Sequence, residues 1–66
     1  MSLRIGYVIE EKLYGIDQWW RSNSWIYEKY PAIEVASNRL RAEEVEKVRV
    51  LEIQHSEPKE IHQEEK

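Results

Sequence analysis

Hydrophobic and polar residues alternate at the start of the chain. Apolar side chains occupy every second position from Leu3 to Ile9, with Tyr7 among them. This period of two in β-forming residues predicts a strand with one apolar face. The charged residues 10–12 that follow are expected to bring the chain to the surface.

Residues 13–30 contain two turn signals, each followed by a strand-forming run. The turn signals are Gly15 with Asp17 and the polar run 22–24, and the strand-forming runs are 18–21 and 25–30. This pattern predicts a hairpin. The alternative is a short helix that Asp17 caps and that runs through Trp19 and Trp20. In a strand, these two indoles would point to opposite faces.

A helix is predicted from Pro31, whose missing N–H is harmless in a first turn. Its apolar side consists of positions at helical spacing, namely Ala32, Ile33, Ala36, Ser37, Leu40 and Glu44. Because this stripe is thin and made mostly of small residues, we expect the helix to lie close against a sheet.

Residues 48–54 predict a final strand of mixed phase. Leu51 and Ile53 share one face with Arg49, whereas Val48 and Val50 share the other. Either Val48 closes the helix, or both faces of the strand are partly covered.

Residues 56–66 have one aliphatic side chain, Ile61, and four acidic residues. Such a composition is typical of disorder. We therefore expect one compact α+β domain over residues 1–55 and a flexible acidic tail over residues 56–66. The predicted fold is a small, mostly antiparallel sheet of three or four strands in the order β-β(-β)-α-β, with one helix packed on one face.

Size and composition limit how such a domain is stabilised. A domain of this length buries only roughly 60% of its unfolded surface, and the absence of cysteine excludes disulfides. Self-association is the favoured supplement, so we expect a homodimer. The absence of cysteine also fits a reducing cytoplasm. No apolar run is long enough to span a bilayer, and no membrane partner is expected.

The aromatic residues are the strongest functional signal. Six of the seven fall between Tyr14 and Tyr30, and there is no phenylalanine. Trp and Tyr dominate the binding energy of many protein interfaces, and their polar tips suit half-buried positions. The candidate contact residues for a protein partner are Trp19, Trp20, Arg21, Trp25, Tyr27 and Tyr30. The competing interpretation is that a domain without Phe builds its core from Trp.

A second hypothesis uses the same segment to bind single-stranded nucleic acid. Aromatic rings stack on bases while nearby cations follow the phosphates, and the residues available for this are Trp20, Arg21, Trp25, Tyr27 and Lys29. The net charge of −3 and the absence of a basic stripe argue against this hypothesis and against duplex DNA.

Catalytic and metal chemistry have little support in the sequence. Ser22 and Ser24 have no histidine near them in the chain and have the character of turn residues. His55 and His62 lack the spacing of a zinc site. We predict neither an enzyme nor a cofactor.

In its size, mild acidity, lack of cysteine and concentration of Trp and Tyr, the chain resembles the small accessory and inhibitor proteins of phages and mobile elements. The resemblance implies a protein that covers part of a host protein's surface. The leading hypothesis is a non-catalytic binding protein, followed by a binder of single-stranded nucleic acid and then by a purely structural subunit of an oligomer.

Overall fold

Four strands and one helix make up the computed structural model, which describes residues 5–22, 24–54 and 57–66. In chain order they are β1 (Gly6–Leu13), β2 (Trp19–Arg21), α1 (Lys29–Arg39), β3 (Val45–Gln54) and β4 (Glu57–Glu65). The strands lie side by side in the order β2-β1-β3-β4, and every neighbouring pair is antiparallel. The predicted class, a small antiparallel sheet with one helix, is confirmed.

The predicted order of elements is partly wrong, because the chain runs β-β-α-β-β. Residues 18–21 do contain a strand, as the hairpin required, but residues 25–30 do not form its second arm. Within that run only Ile26 bridges to β1, opposite Tyr7. The helix has already begun at Lys29, so that Pro31 lies within its first turn.

The C-terminal segment corrects a second prediction. The expected flexible tail is wrong for Glu57–Glu65, which pairs with β3 as strand β4, while residues 55 and 56 lie outside the described part of the chain. The Ile61 side chain packs against the core. Composition alone suggested disorder, yet an edge strand tolerates charged side chains because water reaches its free edge and its outer surface.

A glycine turn leads out of β1. Gly15 has φ +79°, a left-handed conformation that glycine adopts without steric cost. The amide of Ile16 donates to the carbonyl oxygen of Leu13 at 3.2 Å, which closes the turn.

Side chains of the sheet alternate between two faces, and α1 covers one of them. The sheet face that α1 covers is here called the helix face. It carries Tyr7 and Ile9 of β1 and Val48 and Val50 of β3, all packed in one core with α1. In α1 the buried residues are Ala32 and Ala36. The prediction of a helix with a thin, small-residue stripe lying close to the sheet is therefore confirmed, although α1 ends at Arg39, before Glu44.

The opposite face, here called the open face, is also partly covered. Val8 and Leu51 stand opposite each other in the β1–β3 ladder, and both are buried. The mixed phase of β3 is thus explained by partial coverage of both faces of the strand, and not by Val48 closing the helix. Glu10 lies on this face and is only 7% exposed, so the expectation that residues 10–12 return to the surface is wrong for this residue.

Among the described residues, no helix is long and apolar enough to cross a membrane.

Candidate functional site

The open face carries a pair of aromatic rings next to the first residue of β1. Ile26 exchanges two backbone hydrogen bonds with Tyr7, at 2.7 and 3.0 Å. This bridge directs Ile26 into the core beneath α1. Its neighbours Trp25 and Tyr27 point the other way, and their rings meet edge to face at a centroid distance of 6.3 Å.

Gly6 creates the space in which the Trp25 indole lies. A Cβ atom at Gly6 would lie only 1.9 Å from two carbon atoms of the Trp25 ring, so the indole packs directly against the glycine backbone. One side of the ring is therefore fixed by the sheet, while the residue remains 45% exposed and Tyr27 is 57% exposed. Both rings keep substantial area available for another molecule.

A charge network lies next to this pair on the same face. Glu10 accepts a hydrogen bond from Arg21 Nε at 3.1 Å and two from Arg49, from Nε at 2.8 Å and from Nη2 at 2.5 Å. The Arg49 Nη1 atom also lies 3.7 Å from a carboxylate oxygen of Glu60. Because these residues come from β1, β2, β3 and β4, the network connects all four described strands.

Trp19 belongs to this network through its ring. The guanidinium carbon of Arg49 lies 4.1 Å from the Trp19 ring centroid, a distance typical of a cation–π contact. Trp19, which is half-buried, therefore packs its ring against the guanidinium that pairs with Glu10.

The structure distributes the six predicted contact residues over more than one surface. Trp19, Arg21, Trp25 and Tyr27 share the open face. Trp20 pairs with Glu11 and points to the helix side of the sheet, 51% exposed, so the prediction that Trp19 and Trp20 face opposite ways is confirmed. Tyr30 lies in the first turn of α1, 78% exposed, with the Lys29 ammonium 5.9 Å from its ring centroid.

Three residues of the open face were missed by the sequence reasoning: Gly6, Glu10 and Arg49. The period of two in residues 3–9 places Gly6 and Val8 on one face. Nothing in the local pattern, however, brings Arg49 to Glu10, since 39 residues separate them. Only the β1–β3 register unites this pair.

Of the two histidines, His62 lies in β4 on the helix face, and His55 lies outside the described residues. The Nε2 atom of His62 is 3.4 Å from Glu64, which accepts a hydrogen bond from Ser37 Oγ at 2.5 Å. Within the described residues, no group of three or more His, Asp or Glu side chains is arranged to hold a metal ion.

Comparison with models of protein families, with curated proteins and with solved structures finds no match to this chain.

Proposed function

We propose that this chain is a small non-catalytic protein that binds a partner protein through its open face, with Trp25 and Tyr27 as the anchors. One observation carries the proposal. The largest wholly buried side chains among the described residues are valines, Val45, Val48 and Val50, whereas Trp20, Trp25, Tyr27 and Tyr30 are all exposed. The competing interpretation, a core built from tryptophan, does not fit this distribution.

The geometry of Trp25 suits an anchor. Its ring already rests on Gly6, so little rotamer freedom remains to be lost on binding. A partner would then bury the other side of the indole and the edge of Tyr27. Truncation of such an aromatic anchor typically costs about 2 kcal/mol or more of binding free energy.

The arginines of the open face support a protein partner over a nucleic acid. Arg21 and Arg49 are both paired with the buried carboxylate of Glu10, and Arg49 also lies near Glu60. A phosphate would have to compete with these carboxylates. The acidic chain, with net charge −3, adds a general repulsion.

Single-stranded nucleic acid remains the second candidate for one specific reason. Three aromatic residues, Trp19, Trp25 and Tyr27, share a sheet face with two arginines, and this combination is typical of base-stacking surfaces. A purely structural role in an oligomer would instead bury these rings against another subunit.

Three further proposals accompany the binding function. We propose a cytoplasmic location, which the absence of cysteine supports. We also propose that the chain acts by masking its partner's surface, as in the small phage and mobile-element inhibitors that it resembles in size and composition. Finally, we propose a homodimer, because a core made mostly of alanine and valine in so short a chain gains from a second copy.

The test compares two indoles on opposite faces of the same sheet. Trp25→Ala should reduce capture of the partner from a lysate of the source cell by at least about 30-fold, the equivalent of about 2 kcal/mol. Trp20→Ala is the matched control and should leave capture within about threefold of the native protein. Capture is measured by quantitative mass spectrometry on immobilised protein.

Circular dichroism checks that both variants retain the native fold. Equal loss of capture in the two variants would contradict an anchor at Trp25.

A fluorescence titration with oligo(dT) at low and high salt tests the second candidate, binding of single-stranded nucleic acid. Saturable, salt-sensitive quenching that Trp25→Ala abolishes would replace the protein partner with single-stranded nucleic acid.

A further inference from the structure

Strand β4 presents a long edge of the sheet. It pairs with β3 on one side, and none of the described strands pairs with its other side. An edge strand exposes backbone donors and acceptors that can pair with another chain. The side chains of β4 determine which partner strand can pair with this edge.

A bulge in β4 determines which side chains share a face. Val50 pairs with His62, but the next residue, Leu51, pairs with Glu60, so Ile61 is an extra residue in β4. The face therefore changes phase within the strand. The helix face carries Glu57, Lys59, His62 and Glu64, and the open face carries Pro58, Glu60, Gln63 and Glu65.

We propose that β4 pairs edge to edge with β4 of a second copy, antiparallel, with Lys59 opposite Glu64 of the second copy. A two-fold axis perpendicular to the sheet generates this pair twice. The same register places Glu60 opposite Gln63 of the second copy. Every such pair joins side chains of the same face, as antiparallel pairing requires.

Other registers are disfavoured by face or by charge. A slip of one residue would oppose side chains from different faces, because it pairs Glu60 with Glu64 or Glu57 with Glu65. A slip of two residues keeps the faces but places like charges together, either Glu57 against Glu64 or Glu60 against Glu65. Like charges directly opposite each other destabilise a sheet. Among these registers, the proposed one places opposite charges against each other.

The pairing rests on the homodimer proposed above, to which it gives an interface and a register, and it does not depend on partner binding through the open face. It would join two four-stranded sheets into one continuous sheet. The two-fold axis keeps both open faces on the same side, so that Trp25 and Tyr27 of each copy remain available to a partner. A dimer of this form would present two binding surfaces in parallel.

Sedimentation equilibrium of the full chain tests the pairing. The native protein should dimerise reversibly, and Lys59→Glu should raise the dissociation constant about tenfold, since it places two carboxylates against each other at two symmetric positions. The double variant Lys59→Glu with Glu64→Lys should recover most of this loss. Arg41→Glu, an equal charge reversal at an exposed residue outside β4, should change the constant less than about twofold.

Cross-linking tests the register directly, because the chain has no cysteine of its own. A mixture of Glu60→Cys and Gln63→Cys chains should form a disulfide-linked heterodimer under mild oxidation. Each variant alone should form much less, since neither position faces itself in this register. Cross-strand neighbours lie about 5 Å apart at Cα, within the range of a disulfide.

Three results would overturn the inference. One is a native protein that stays monomeric at all accessible concentrations. Another is a dimer that Lys59→Glu leaves unchanged and that gives no preferential cross-link. The third is a dimer that Trp25→Ala dissociates, which would place the contact on the open face. Loss of partner capture in Trp25→Ala with an intact dimer would leave the edge pairing and the proposed function both standing.

Discussion

Gly6 shows how one missing side chain shapes a surface. The Trp25 indole occupies the volume that a Cβ atom would need. Contact with the β1 backbone therefore orients the exposed ring, and this orientation depends on Gly6, a residue without a side chain.

Gly6→Ala should displace the Trp25 ring while the sheet persists. We expect a red shift of tryptophan fluorescence and a loss of about 1–2 kcal/mol in the free energy of unfolding, the range typical of overpacking. In a Trp25→Ala background the same substitution should cost much less, because the clash is gone. Additive costs in this double-mutant cycle would contradict direct packing of the two residues.

Tyr7 links the core to Glu52, near the C-terminal end of β3. Its hydroxyl donates to Glu52 Oε2 at 3.3 Å. Burial, and then the negative charge of Glu52 and this hydrogen bond, raise the pKa of Tyr7 above its ordinary value near 10. The neutral phenol is therefore favoured in the folded chain.

The raised pKa predicts lower stability in alkali. Below pH ~10 the phenol is protonated in both the folded and the unfolded chain, and the contribution of Tyr7 is constant. Above that pH the unfolded chain loses the proton first, so the free energy of unfolding falls as pH rises. Urea denaturation from pH ~9 to ~11 should show a shallower fall for Tyr7→Phe. Identical slopes would show that Tyr7 titrates alike in both states.

At the scale of the element, α1 owes its position to alanine. Ala32 and Ala36 are wholly buried, which lets the helix backbone approach the sheet closely. The small stripe was visible in the sequence, because residues four apart lie on the same side of any helix. Its end was less visible, since apolar and acidic residues continue the same spacing beyond Arg39.

Ala36→Leu should lower the free energy of unfolding by about 1–3 kcal/mol, because no space exists between α1 and the sheet for a larger side chain. The neighbouring Val35 is 39% exposed, and Val35→Leu is the matched control, with an expected change below about 0.5 kcal/mol. Chemical denaturation measures both. Equal effects would mean that α1 lies farther from the sheet than the buried Ala36 indicates.

At the scale of the whole molecule, β4 pairs with the edge of β3 that the other described strands leave unpaired. Ile61 packs against the core, Glu64 bonds to Ser37 of α1, and Glu60 lies near Arg49 of β3. These contacts tie the acidic segment to both the helix and the sheet.

Ile61→Ala should therefore lower the free energy of unfolding by about 1–2 kcal/mol, the amount expected for truncating a partly buried aliphatic side chain. Glu57→Ala, at an exposed position of the same strand, should have an effect below about 0.5 kcal/mol. Thermal and urea unfolding provide the measurement. Two effects near zero would mean that β4 does not share in the cooperative fold.

The sequence by itself determined the features that depend on neighbours along the chain. The alternating start of β1, the small-residue side of α1 and the opposed directions of Trp19 and Trp20 all follow from the period of a strand or helix. The concentration of aromatic residues between Tyr14 and Tyr30 was also visible, but neither their exposure nor their division between surfaces was.

Tertiary structure decided the rest, because the decisive partners are distant in the chain. Glu10 meets Arg49 across 39 residues, and Glu64 meets Ser37 across 27. Strand β4 forms because its backbone pairs with β3, and the composition of residues 56–66 does not predict that pairing. Trp25 packs closely on β1 because the position beside it is Gly6. Local period predicts which residues can share a face, whereas strand register alone decides which ones meet.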